Sequence, residues 1–243
     1  MMQRDFLFEI CANSVESCIA AQEAGADRVE LCASMPEGGT TPSYGEIRQA
    51  RELLKTTKLH VIIRPRAGDF VYTPLELERM INDIRLCQGL GVDGVVFGCL
   101  TDKGEVCLER NAILKQEAKG MSTTFHRAFD RCINPEESLE RIIRLGFDRV
   151  LTSGQKPTAE EGIPMLKRLQ EIADGRIAIL AGSGINDKNI EKIKLSTGIS
   201  EFHFSARENI FHTVDNVFGC QMQTTKRRII EIISKLTPPE PKQ

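Results

Sequence analysis

The chain has no stretch of about eighteen apolar residues, the length a membrane-spanning helix requires, which excludes that architecture. It has no block of Lys and Arg either. Its 32 basic residues balance 34 acidic ones to a net charge of −2, so neither nucleic acid nor an acidic membrane is an expected partner. The first residues carry Arg4, Asp5 and Glu9 around a short apolar patch. They lack the long apolar core and cleavage site of a secretory signal, and the expected location is the cytoplasm. The eight cysteines (Cys11, Cys18, Cys32, Cys87, Cys99, Cys107, Cys132 and Cys220) contain no C-x-x-C pair. A chain of 243 residues needs no disulfide staples, so these thiols are expected as small buried side chains in a reducing compartment. No nucleotide cofactor is expected. What remains, 41% hydrophobic and 27% charged residues, describes a globular protein with a substantial core.

Runs rich in Val, Ile and Phe recur about every 30 residues, at 6–12, 27–33, 58–65, 94–100, 122–129, 149–154, 177–182 and 201–206. Between them lie stretches with helical spacing, for example 15–24, 45–54, 75–89, 136–145, 159–172 and 188–195. Gly25, Gly91 and Gly146 stand where helices would stop, and Pro74, Pro135 and Pro164 near where they would start. Eight strands alternating with helices require parallel pairing, because connections this long are crossovers rather than hairpins. The expected fold is α/β: a single TIM (β/α)8 barrel across residues 1–243. A doubly wound open sheet competes, but it usually holds five to seven strands. Residues 207–225 are too long for an ordinary βα loop and are expected over the barrel mouth, in an oligomer contact, or as a mobile loop. Residues 237–243 form an expected flexible tail.

Strand side chains alternate between two faces. Phe6, Phe8 and Ile10 oppose Leu7, Glu9 and Cys11; Val29 and Leu31 oppose Glu30 and Cys32. Val61 and Ile63 oppose Ile62 and Arg64; Phe125 opposes Thr124 and His126; Phe202 and Phe204 oppose Glu201, His203 and Ser205. The apolar set must face the helices, so Glu9, Glu30, Arg64, His126 and His203 are expected inside the barrel. Charges there are costly unless paired or hydrated. Near the carboxyl ends of the strands they would line the pocket where such barrels bind ligands. A self-satisfied ion network, with two glutamates around Arg64, is the bland alternative. In the functional reading Glu9, Glu30, Arg64, His126 and Asp130 are catalytic candidates: a glutamate or His126 exchanges protons while Arg64 or Arg66 holds an anion. His60 and His212 receive no role.

Runs six to eight end in Ser153-Gly154, Gly182-Ser183-Gly184 and Ser205. Glycine lets backbone N–H groups approach an anion, and barrels often bind phosphate after strands seven and eight. Arg66, Ser153, Gly154, Gly182, Ser183, Gly184, His203 and Ser205 are therefore candidate anion-binding residues.

Several stretches taken together resemble the CutC copper-homeostasis family. They include Glu9-Ile10-Cys11, Gly25-Ala26-Asp27-Arg28-Val29-Glu30-Leu31-Cys32 and Glu37-Gly38-Gly39-Thr40-Thr41-Pro42. Further on are Ile63-Arg64-Pro65-Arg66-Ala67-Gly68-Asp69-Phe70, Thr124-Phe125-His126-Arg127-Ala128-Phe129-Asp130 and Glu201-Phe202-His203-Phe204-Ser205-Ala206-Arg207. The resemblance covers about residues 6–210; Ala181-Gly182-Ser183-Gly184 departs from a more glycine-rich form in the family. It implies a barrel, a cytoplasmic location, a homo-oligomer (dimer or tetramer) and copper handling or copper binding, and it supplies no defined reaction. Cys11 and Cys32 match the family's cysteines. Each follows an inward glutamate by two residues, on neighbouring strands roughly 5 Å apart, so a two-thiolate copper site is geometrically allowed. Nearby carboxylates and the absence of a methionine cluster favour two ordinary core residues instead. Two functions follow: a copper-binding homeostasis protein, or a barrel enzyme acting on a small phosphorylated or carboxylated metabolite.

Overall fold

The computed structural model describes residues 6–210 and 221–237. Each of the eight expected runs contains one strand: β1 (Leu7–Ala12), β2 (Arg28–Leu31), β3 (Lys58–Ile62), β4 (Gly94–Phe97), β5 (Ser122–Phe125), β6 (Arg149–Thr152), β7 (Ala178–Gly182) and β8 (Glu201–Phe204). They close into a barrel in chain order, β8 returning to β1, with every pair parallel.

Eight α-helices alternate with the strands among the described residues: α1 (Val15–Glu23), α2 (Tyr44–Leu53), α3 (Pro74–Gly89), α4 (Leu108–Glu117), α5 (Pro135–Arg144), α6 (Ile163–Ala173), α7 (Ile190–Thr197) and α8 (Lys226–Ile233). Their ends follow local chemistry. Ser43 with Glu46 and Thr73 with Glu76 form reciprocal capping boxes, and Pro74 and Pro135 open α3 and α5, where a missing N–H costs little. Gly25, Gly91 and Gly146 adopt φ of +78°, +70° and +75° where α1, α3 and α5 stop.

The alternation of faces is as expected. Phe8, Ile10, Val29, Leu31, Val61, Phe125, Phe202 and Phe204 are buried in the layer shared with the helices. Cys32, Ile62 and Val96 form a separate small cluster with Cys11 and Met35.

The structure differs from expectation where periodicity gives way to loop chemistry. β3 stops at Ile62, ahead of Pro65, which has no N–H for a ladder. β5 stops at Phe125, and a 3-10 turn over Arg127–Arg131 replaces the end of the expected run. α6 starts at Ile163 rather than 159, because Gly162 lies directly on the Ser153-Gly154 backbone. The segment expected as a loop at 207–225 begins and ends as a two-stranded antiparallel ribbon, β9 (Arg207–Ile210) with β10 (Gln221–Thr224). Its centre, His212, Cys220 and the tail beyond 237 lie outside the described residues. No helix of the described residues is long and apolar enough to cross a membrane.

Candidate functional site

The barrel interior is layered. The lower layer carries Glu9, Arg28, His60, Arg149 and Glu201. The register places Arg28 opposite Glu9, and their side chains form a buried ion pair. Arg28 Nη2 also lies 2.8 Å from Glu201 Oε2, and Arg149 Nε lies 3.3 Å from the same oxygen. Arg149 Nη1 donates to the Ser122 hydroxyl at 2.7 Å. Burial alone would push the Glu9 carboxyl up, but Arg28 and the hydrogen bond to His203 hold it well below the usual range. His60 packs flat against Gly94, leaving no room for a Cβ there, and its pKa is lowered to about 3, chiefly by burial.

Two residues further along each strand the chemistry changes. His203 Nδ1 is 2.7 Å from Glu9 Oε1, and its Nε2 is 3.7 Å from Glu30 Oε2. Burial would lower the His203 pKa, yet Cys11 and Glu9 hold it well above the ordinary value. Glu30 is raised to about 7, mainly by burial, with His203 opposing and Glu9 adding to the rise. The Cys11 thiol donates toward Glu30 Oε2 at 3.7 Å. Cys11 and Cys32 stand with their sulfurs 3.6 Å apart, too far for a disulfide, and both are free thiols.

A third sulfur completes this group. Met35 Sδ lies 3.6 Å from Cys11 Sγ and 3.0 Å from Cys32 Sγ. Met35 opens a short 3-10 turn (Met35–Glu37) just after β2, steered inward by Ser34 at φ +48°. Gly39, at φ +86°, sits where the returning loop passes the site: a Cβ there would stand 3.3 Å from Ile62 Cδ1 and 3.4 Å from the Cys32 Cβ. Cys11, Cys32 and Glu30 place one potential ligand atom each within 4.8 Å of one another. Above them opens a cavity of about 310 Å³ whose wall includes Cys11, Glu30, Met35, His126, His203 and Arg207.

The expected site residues separate into three groups. Glu30, Cys11, His126, His203, Ser183, Gly184 and Ser205 line this cavity. Glu9 lies beneath it, and Cys32 completes the sulfur group. The others are elsewhere. Arg64 is not flanked by glutamates: β3 has already ended, and its guanidinium is caged by the carbonyls of Glu37 (2.9 Å), Gly39 (2.7 Å) and Gly68 (3.0 Å). Arg28 occupies the place between glutamates that was expected for Arg64. Arg66 pairs with Glu76 at 2.6 Å and Asp69 at 2.9 Å. Asp130 is spent on the loop after β6, accepting from the Thr152 hydroxyl (2.5 Å), the Ser153 amide (3.1 Å), the Gln155 amide (3.2 Å) and Arg127 Nε (2.7 Å). Ser153 turns its hydroxyl to that carboxylate and to the Lys156 carbonyl, while Gly154 packs against Gly162. Gly182 is wedged between Leu151 and His203.

Arg28 and Met35 were missed. Arg28 stands two residues before Glu30 and so shares its face, a signal present in the sequence. Met35 stands three residues after Cys32, beyond the strand, where alternation no longer predicts direction.

The family model described as the CutC family matches residues 6–208. A CutC family protein of Bacteroides fragilis is 63% identical over 207 residues, covering 85% of this chain and 82% of that protein. A crystal structure of a CutC protein from Streptococcus agalactiae superposes with a TM-score of 0.79 at 36% identity, covering 82% of this chain and 98% of that one. Thiamine phosphate pyrophosphorylase from Pyrococcus furiosus shares the fold alone, with a TM-score of 0.62 at 17% identity over 96% of each chain.

Proposed function

The chain belongs to the CutC family, and from that premise we propose that it handles copper, binding Cu(I) as its cargo between the sulfurs of Cys11, Cys32 and Met35. The observation that carries the reading is the convergence of two thiols and a thioether within 3.6 Å of one another at the foot of a cavity. Soft sulfur donors favour Cu(I); structural zinc sites draw on thiolate, imidazole and carboxylate, so the thioether weights this set toward copper. A trigonal set of metal–sulfur bonds of about 2.3 Å spaces the sulfurs by about 4 Å, so the triad opens only slightly to admit an ion.

Ligand cysteines bind as thiolates. The Cys11 thiol is held well above its ordinary value by its hydrogen bond to Cys32 and by burial, so copper enters by displacing protons. His203, fixed by Glu9, and Glu30, facing Cys11, border the sulfurs without replacing them.

The test is a Cu(I) titration under anaerobic, reducing conditions against a competing chelator. Stoichiometric binding in the parent protein and its loss in Cys11→Ser/Cys32→Ser support the proposal. A parent that takes up no copper, or a double variant that binds as well, overturns it.

A further inference from the structure

The cavity above the sulfurs is far larger than a bare ion needs. Its volume of about 310 Å³ stands at the lower end of small-molecule sites and is about ten times the share of a liquid water. Its wall also has unmet demands. Glu30 Oε1, His126 Nε2 and Arg207 Nε all belong to cavity residues, and they are three of the seven buried polar side-chain atoms without a hydrogen-bond partner among the described residues. Native structures rarely leave such atoms unpaired; each is enclosed by neighbouring atoms, so a ligand in the cavity would meet it only after the side chain turns toward the opening.

The character of that molecule follows from where these groups stand. His126 accepts the Ala128 amide on Nδ1 at 3.3 Å, which puts its proton on Nε2; burial and the nearby Arg64 lower its pKa to about 3, so it is a neutral donor. Arg207 brings a guanidinium to the rim. Arg127 spends Nε on Asp130 and Nη2 on Ser153, and its Nη1 has no partner among the described residues. The amides of Gly184 and Ile185, also in the wall, donate to nothing among the described residues. The polar groups of the upper wall are thus mainly donors, two of them cationic, set among Leu151, Ile185 and Phe204, whereas the foot is sulfur with the Glu30 carboxyl beside it. A ligand matching both ends has an anionic group at one end and a soft donor at the other.

We propose that the cavity is a binding site for a small organic anion bearing a thiol, its carboxylate held by Arg207, Arg127 and His126 and its sulfur over Cys11, Cys32 and Met35. The lower half of this inference rests on the copper reading, since Cu(I) is what the two sets of sulfurs would exchange. In the exchange a cuprous dithiolate, (RS)2Cu⁻, meets two protein thiols and the Met35 thioether; two Cu–S bonds break, two form to the cysteine thiolates, and the Met35 sulfur adds as a third, neutral donor. The protons of Cys11 and Cys32 leave on two molecules of RSH, and copper stays Cu(I) throughout.

The probes are reduced glutathione, S-methylglutathione and inorganic phosphate, measured by calorimetry on the full-length protein. Both glutathione forms bind the metal-free protein, at least tenfold more weakly in Arg207→Met and unchanged in the surface variant Arg48→Ala, whose side chain is 59% exposed and away from the cavity. With Cu(I) present, glutathione binds at least tenfold tighter than its S-methyl analogue. Circular dichroism establishes that Arg207→Met is folded, and Arg127→Met provides a second variant with the same expected loss. The proposal is overturned if neither glutathione form binds, if a folded Arg207→Met binds as tightly as the parent, or if phosphate alone binds as well as glutathione. Copper uptake without glutathione binding removes this inference and leaves the copper reading. Glutathione binding without copper uptake removes the copper reading and leaves the anion site.

Discussion

The lower and upper layers of this barrel are built on the same strands, two residues apart, yet they treat polarity in opposite ways. Below, Glu9, Arg28, Glu201 and Arg149 are matched charge to charge, and the register of β1 on β2 and β8 sets the pairs. Above, Cys11, Glu30, Cys32 and His203 meet through sulfurs in loose contact and a longer His203–Glu30 approach; among the described residues, atoms without a hydrogen-bond partner occur in both layers, Glu30 Oε1 above and His60 Nδ1 and Arg149 Nε below. A buried ion network contributes little net stability for its desolvation cost, but removing one member leaves an uncompensated charge. In the upper layer only His203, through its contacts with Glu9 and Glu30, carries such a penalty. The lower layer therefore acts as the rigid support of the upper one, and the hydrogen bond from His203 to Glu9 joins them.

Substitutions sharpen the contrast. Arg28→Ala leaves the fully buried Glu9 without its main partner and costs about 3–5 kcal/mol in a denaturant titration; a loss under 1 kcal/mol would erase the distinction between the layers. The next effect is one of pH. Folded His126 refuses a proton until about pH 3, whereas an unfolded histidine accepts one below about 6.5. Its contribution is therefore nil above about pH 6.5, and stability relative to His126→Gln falls by about 1.4 kcal/mol per pH unit from there down to about pH 3, where the fall levels off. Glu30 and His203, whose raised values act in the opposite sense, are common to both proteins and cancel in the difference. Parallel pH profiles for the two would mean that His126 is solvated.

In the upper layer, Met35→Leu preserves volume and changes folding stability by less than about 1.5 kcal/mol. Removing its thioether weakens Cu(I) binding by roughly tenfold, about 1.4 kcal/mol. Equal copper affinity in the two proteins would take Met35 out of the site. Smallest is the surface control: the side chains of Arg48 and Glu52 are 59% and 60% exposed, and Arg48→Ala shifts stability by no more than about 0.5 kcal/mol.

Most of the barrel was legible because strand alternation is a strict physical period. Phe8 and Ile10 outward and Glu9 and Cys11 inward follow from it directly, as does the meeting of Glu9, Glu30 and His203. The same rule failed once the strands ended. Arg64 lies two residues beyond β3 and turns into a cage of carbonyls, and Asp130 folds back onto the loop after β6. Met35 enters the site through a left-handed Ser34 and a 3-10 turn that no periodicity announces. Composition marked Ser153-Gly154 as an anion site, but their backbone is committed to close packing with Gly162, a long-range contact invisible in local sequence. Alternation reports direction only while the ladder lasts.

The proposed copper site takes its sulfurs from Cys11 on β1, Cys32 just beyond β2 and Met35 in the turn that follows. X-ray absorption of the Cu(I)-loaded protein tests it most directly. Three sulfur neighbours at about 2.3 Å are expected, and two in Met35→Leu. A first shell of nitrogen and oxygen, or a sulfur count unaffected by replacing Cys11 and Cys32, would contradict it.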